Sequence, residues 1–300
     1  MEIACSLCMR TRSCADGGGC WGGRGMNDLL VRLIGWRAPI LQGDPPVFDR
    51  WRWLKRHLLP GPLRTLDVGC GSGAYTFCAS KIGNWSVGIS NNERNNSKAR
   101  ARAEILRLRN IEFMTVDIGS LRPLISRVGK FDQVICLETI EHIIDDEKLV
   151  SDLSYALKPG GRLLLTTPFK YYRRLPGDKL SPTQDGGHVR WGYTQEEMKA
   201  MFEENGLCVL AQEYVSGLVS QQLTKAMRLL GRAIGMAAWA VILPLRILQP
   251  LDPLLTELFS YPYLSIGIVG VKLGPGVAGS GDTLEAEAPI RRHKSTRSSA

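Results

Sequence analysis

From Phe48 the apolar residues Phe48, Trp51, Leu54 and Leu58 recur at three- and four-residue steps, with Arg50, Arg52, Lys55 and Arg56 between them. That spacing predicts an amphipathic helix, ended by Pro60, Gly61 and Pro62. An earlier helical pattern, Leu29, Leu30, Leu33 and Ile34, begins just after Met26, which makes Met26 an alternative start. Short apolar runs at 63–68, 87–89, 111–116, 131–137 and 162–167 predict five strands, and helical stretches at 74–81, 97–109 and 145–157 fall between them. Strands alternating with helices at this spacing predict βαβ units in an α/β, Rossmann-like, doubly wound and mostly parallel sheet. Thr194, followed three residues later by Glu197, predicts a capping box and a helix to about residue 204, with Gly206 just past its end. A sixth strand is expected at 207–210 and an alternating seventh at 263–271, with a helical insertion at about 217–262 between them.

The expected organisation is one domain over 26–273, with a helical cap at 26–60 and loose tails at 1–25 and 274–300. The tail from Pro275 is dominated by Gly, Ser, Ala and charged residues, a composition that cannot bury a core. Four of the eight cysteines, Cys5, Cys8, Cys14 and Cys20, crowd the first twenty residues at intervals that match no common zinc module. Cys70, Cys78, Cys136 and Cys208 stand singly in apolar contexts, as reduced thiols of a cytoplasmic protein do. No metal site is expected. The 38 Lys and Arg against 29 Asp and Glu give a formal charge of +9. Much of that excess falls in the 48–58 helix and the insertion, and is expected to lie outside the ligand site.

The 63–68 strand runs into Gly69, Cys70, Gly71, Ser72 and Gly73 and then into a helix. A glycine turn there brings a ligand close to bare backbone at the positive end of the helix. Gly69, Gly71 and Ala74 formally satisfy G-x-G-x-x-G/A, so nicotinamide binding is one reading. Ser90 stands where the ribose-gripping acid is expected, and Arg94 nearby leaves an NADP-dependent oxidoreductase open.

The wider pattern is more specific. LDVGCGSG at 66–73, FDQVICLETIEH at 131–142 and LKPGGRLLLTTP at 157–168 together resemble motif I and the fourth- and fifth-strand motifs of class I S-adenosylmethionine-dependent methyltransferases. The likeness covers about residues 60–212. It is closest to the small-molecule methyltransferases that carry E-x-x-E-H after the fourth strand, here Glu138, Glu141 and His142. The resemblance implies S-adenosyl-L-methionine as cofactor, with Asp67, Gly69, Gly71 and Gly73 around its methionine part. It implies Asp117 at the adenine amino group, Ile118 against the ring and Glu138 with Thr139 beside the methionine chain. The acid that usually closes the second strand is replaced by Ser90, in the run VGISNNERNN. A hydroxyl is a weaker contact than a carboxylate, so Asn91, Asn92 or Glu93 is expected to share the ribose.

Methyl transfer from a sulfonium mainly requires collinear positioning, and a base only where the acceptor must lose a proton. His142, after the fourth strand, and His188, in the loop QDGGHVRWGYT, are the candidate catalytic residues, with Arg190 and Tyr193 as weaker ones. Neither an Asn/Asp-Pro-Pro-aromatic turn nor a Pro-Cys nucleophile is present, and no RNA module is evident, so no nucleic acid is expected. A small-molecule or lipid-linked acceptor and O-methylation are. A noncatalytic binding or assembly protein keeping the fold is the competing class, motivated by Ser90. In the insertion, AIGMAAWAVILPL is apolar but too short to span a bilayer, with Lys225, Arg228, Arg232, Arg246, Trp239, Tyr261 and Tyr263 around it. It reads as a lid over a greasy acceptor, a peripheral membrane contact, a core-completing cap or a homodimer face.

Overall fold

The computed structural model describes residues 29–174, 178–235 and 237–274. The N-terminal cysteines, Met26 and both expected tails lie outside the described residues, apart from Gly274. The chain is helical from residue 29 to 34, and continues through α1 (Ala38–Gln42) and α2 (Pro45–His57) into a seven-stranded sheet. Its strands are β1 (Arg64–Val68), β2 (Trp85–Ser90), β3 (Ile111–Thr115), β4 (Phe131–Leu137), β5 (Leu157–Pro168), β6 (Leu207–Val215) and β7 (Ser265–Lys272). They lie in the order β3-β2-β1-β4-β5-β7-β6. β7 runs antiparallel to both β5 and β6, and the other pairs are parallel. The parallel order reverses at β1 and β4, the switch point at which such sheets open a crevice for ligands.

The connecting helices are α3 (Ala74–Lys81), α4 (Glu93–Ile105), α5 (Arg122–Val128), α6 (Asp146–Ala156) and α7 (Gln195–Glu204). Three of them begin at a side-chain cap. The Asn92 side chain accepts from Asn95 N–H, Asp145 accepts from Lys148 N–H, and Thr194 with Glu197 forms the full capping box. The helix expected at 97–109 starts earlier, because the Asn92 cap overrides the charge pattern. The short α5 has no clear apolar period and is visible only in the structure. Between β6 and β7 run α8 (Leu218–Ile234), α9 (Ala237–Ile242), a 3₁₀ stretch Leu243–Leu251 and α10 (Asp252–Leu258).

Two apolar layers sandwich the sheet. Leu66, Val68, Val134, Cys136, Leu163 and Leu165 meet α5, α6 and α7 on one side. Ile135, Leu164 and Val269 meet α2 and α3 on the other. The inward anchor of α2 is Trp53, 1% exposed, beside Leu54 and Leu58, whereas Phe48 and Trp51 are only half-buried. Trp53 fits because β7 offers a glycine below it. A Cβ on Gly267 would stand 2.6 Å from the indole. Gly267→Ala therefore overpacks this contact, and guanidinium unfolding is expected to show a loss of about 1–3 kcal/mol.

Candidate active site

The turn after β1 is built on left-handed backbone. Gly69, Gly71 and Gly73 have φ of 78°, 53° and 87°, a region that costs glycine nothing. A Cβ on Gly69 would fall 2.2 Å from Thr139 Oγ1, and one on Gly73 would meet the Phe113 ring at 2.8 Å. The turn is thus wedged between the exit of β4 and the Phe113 ring of β3. Above Gly71 the space is open, with nothing within 4 Å of a Cβ, so this is where the backbone is accessible to a ligand.

Asp67, below the turn, is 2% exposed and accepts from Thr76 Oγ1 at 2.6 Å. Burial pushes its carboxyl up to about 7, against the help of Thr76. Ser90 is buried too, but its Oγ accepts from Asn92 N–H at 3.2 Å and shapes the turn into α4. Two of the residues expected to share its task are committed elsewhere. Asn92 caps α4, and Glu93 accepts from Ser97, Arg100 and Thr115. Asn91 is exposed and remains the available amide. Asp117 uses Oδ1 to accept from Gly119 N–H at 3.0 Å, while Ile118 is buried next to it. A cavity of about 280 Å³ opens beside Ile118, lined also by Ile143, Ile144, Lys148 and Gln184.

The exit of β4 carries the densest chemistry. Glu138 sits at φ 49°, uncommon for a side chain other than glycine. It accepts from Thr166 Oγ1 at 3.0 Å and pairs with Arg50 Nη2 at 2.8 Å, both partners of the ion pair being 15% exposed. Arg50 belongs to α2, so the expectation that the basic helix lies apart from the site fails at this residue. Burial works against its charge, but Glu138, Tyr75, Glu141 and Asp44 together outweigh it and hold the guanidinium protonated. Its Nε is buried without a partner. Helical spacing could not signal this, because Arg50 reads as one of several cations on a solvated face.

The following 3₁₀ turn, Ile140–His142, presents Glu141 and His142. Val189 N–H donates to the Glu141 carbonyl at 2.9 Å, and His142 Nδ1 donates to the Gly187 carbonyl at 2.9 Å, which leaves Nε2 as an acceptor. These bonds bring His188 edge-on to His142, ring centroids 4.8 Å apart. One donor atom each of Glu141, His142 and His188 lies within 4.8 Å of the others. Glu141 Oε2 is buried and has no hydrogen-bond partner. Burial lowers both imidazoles, His188 to about 4, and burial together with Glu138 raises Glu141. At neutral pH the two rings therefore offer neutral lone pairs, able to take a proton or hold a cation. No metal set was expected from spacing, since His188 is far from Glu141 along the chain and only the loop brings it near. Arg190 and Tyr193 do a different job. Both bind Asp146, and Arg190 also donates to the Ile143 and Ile144 carbonyls, so they tether the loop.

A doubly wound sheet with a glycine turn and acidic residues at its switch point defines a protein that binds an adenosyl-type cofactor. The methyltransferase domain family matches residues 61–233, more than half of the chain, and the chain belongs to it, as a class I S-adenosylmethionine-dependent methyltransferase. Its cofactor is S-adenosyl-L-methionine. This favours S-adenosyl-L-methionine over the nicotinamide reading. The ubiquinone biosynthesis O-methyltransferase of Acinetobacter baylyi is 31% identical over 39% of this chain and 49% of its own length. That of Coxiella burnetii is 30% identical over 39% and 49%. The chain thus matches about half the length of these curated relatives. Among solved structures, the 4+2 cyclase SpnF superposes with a TM-score of 0.53 at 21% identity, over 75% of this chain and 80% of that one. The YcgJ protein of Bacillus subtilis does so at 0.50 and 20%, over 76% and 99%. These two likenesses speak to the fold alone.

The buried Asp67 carboxyl yields a signed expectation. Its folded pKa, about 7, lies above the ordinary 3.8, so its ionisation destabilises the fold and the cost grows as pH rises through that window. Asp67→Asn removes the cost. The cofactor-free variant should melt a few degrees above the parent at pH 8, and this gain should vanish toward pH 4. Its S-adenosylmethionine affinity, read by calorimetry, should fall.

Proposed function

We propose that this enzyme transfers a methyl group to a hydroxyl oxygen of a small or lipid-linked acceptor. The observation that carries the reading is the pairing of two neutral imidazoles, His142 and His188, against the β4 exit that also packs on the glycine turn. An oxygen acceptor must lose a proton as it attacks, and a neutral imidazole can receive it. The relatives named as ubiquinone biosynthesis O-methyltransferases support the same reading.

The residues present fit the cofactor. The open space over Gly71 admits it to the backbone, and the N-terminus of α3 favours its carboxylate. Arg50, with its unpartnered Nε, can donate to that carboxylate. Asp67 organises the ammonium end, Glu138 holds Arg50 in place, Asn91 and Ser90 take the ribose, and Asp117 accepts from the adenine amino group over Ile118. S-adenosylmethionine supplies the electrophilic methyl group on a sulfonium. The protein's work is to hold acceptor oxygen, methyl and sulfur in line, a contribution of roughly 7–11 kcal/mol where the geometry is right. His142 takes the acceptor proton at Nε2, its tautomer set by the Gly187 carbonyl.

The orphaned Glu141 Oε2 favours a second reading of the same cluster, in which Glu141, His142 and His188 hold a divalent cation. Such a set of nitrogen and oxygen donors suits a first-row or magnesium-type ion, which would supply Lewis-acid chemistry at the acceptor hydroxyl.

Calorimetry with S-adenosylmethionine tests the cofactor assignment. Gly71→Trp should abolish binding at a cost of about 1–2 kcal/mol in stability from the left-handed backbone, and normal affinity in the folded variant would dislodge the loop from the site. Arg50→Ala should weaken binding by roughly ten- to a hundredfold, the worth of one hydrogen bond to a charged group. The cation reading is decided by titrating magnesium, manganese or zinc chloride into chelator-treated protein. One-to-one binding that disappears in His188→Ala supports it, and absence of heat with all three leaves His142 as the base.

A further inference from the structure

The segment between α8 and β7 has its polar side facing inward. Along the 3₁₀ stretch and α10 the buried residues are Arg246, Gln249, Asp252 and Thr256, while Ile247, Leu248, Leu251, Leu254, Leu258 and Phe259 are exposed. Ile247 is 81% exposed and Leu258 70%. The inward groups hold the segment to the domain. Arg246 donates to the Leu41 and Gly43 carbonyls at 2.7 and 2.6 Å, and Gln249 donates to the Pro45 carbonyl at 2.8 Å. Asp252 accepts from Gly217 and Val219 N–H at 2.8 and 2.7 Å, satisfying the start of α8, and Thr256 Oγ1 accepts from Leu218 N–H at 2.8 Å. A soluble helix normally does the opposite. An apolar face left outward on this scale marks an interaction surface.

Charge chooses the occupant. Lys225 and Arg232 lie along the neighbouring α8, where Arg228 is paired with Asp178, and the segment's own exposed acid is Glu257. A second copy meeting this face by twofold symmetry would set the same basic rim against itself, which is repulsive. An anionic lipid surface complements both the apolar face and the rim. The run Ala237–Leu258 is long and apolar enough to cross a membrane by length and composition. Its polar side, however, is bonded to the domain, which orients it along a surface.

We propose that the exposed face of residues 237–259 docks the enzyme on an anionic bilayer, lying in the interface plane without crossing it. Arg228 reaches Asp178, 3.6 Å away, at the start of the loop that carries His188. The helix beside the docked face thus borders the loop of His188, and delivery of a lipid-linked acceptor from the bilayer is the part that rests on the function proposed above.

Flotation of the intact protein with phosphatidylcholine vesicles, with and without phosphatidylglycerol, tests the docking without any acceptor or cofactor. Co-flotation with the anionic vesicles is expected, with little on pure phosphatidylcholine. A triple variant, Ile247→Glu, Leu254→Glu and Leu258→Glu, should lose binding while keeping S-adenosylmethionine affinity. Should that variant fail to fold, Lys225→Ser with Arg232→Ser should still weaken vesicle binding by roughly tenfold or more. Absence of flotation, equal flotation on neutral vesicles, or undiminished binding by either folded variant overturns the proposal. So does sedimentation showing a parent dimer that the triple variant dissolves, since the face then belongs to a second copy. Docking without methyl transfer leaves this inference standing and removes the functional one.

Discussion

The close approach of the β1 turn to the β4 exit is the constraint on which the site depends. Gly69 can touch Thr139 only because it lacks a Cβ, which would lie 2.2 Å from the threonine hydroxyl. Thr139 Oγ1 in turn donates to the Val68 and Leu137 carbonyls, 3.4 and 3.2 Å away. Two strand ends that are distant in sequence are thereby locked at one height. Everything chemical follows from that contact, since Glu138 precedes Thr139 and Glu141 and His142 follow it. The left-handed backbone at Gly69, Gly71 and Gly73 is not an isolated oddity of a turn; it lets backbone and ligand share the switch point of the sheet.

Buried charge is the second organising element. Arg50 and Glu138 are each held largely out of water, where an unpaired charge would be costly. Their pairing makes the α2 helix a wall of the site. The same burial that confines Arg50 keeps the imidazoles of His142 and His188 neutral and Glu141 protonated more readily than an exposed glutamate. Glu141 in this cluster gains from a positive or proton-donating partner, because it has little solvent to compensate it. The inverted polarity of the 237–259 segment obeys the same logic from the other direction. Its few polar groups are spent on the domain, and its apolar side is left exposed among the described residues.

Much of the fold was legible from periodicity and punctuation. The β1 strand with its glycine turn, the 131–137 strand and the Thr194–Glu197 capping box depend on local spacing, and the structure has each of them. Where local signals compete, the outcome needed three dimensions. Trp53 displaces Phe48 and Trp51 as the α2 anchor because Gly267, on the last strand, leaves room for its ring. Asn91 is exposed while Asn92 and Glu93 are spent on the α4 cap and on Arg100.

What the amino-acid order determined by itself was therefore the α/β class, the family likeness and the glycine turn, all carried by residues adjacent in the chain. The tertiary structure decided which distant side chains share a volume. Arg50 joins Glu138, and His188 joins Glu141 and His142, through loop and helix packing that no short-range pattern encodes. It also decided which side of the 237–258 helical run faces water. A hydrophobic stretch in sequence is silent on direction, and here the few polar groups, satisfied only against the domain, turn the greasy side out.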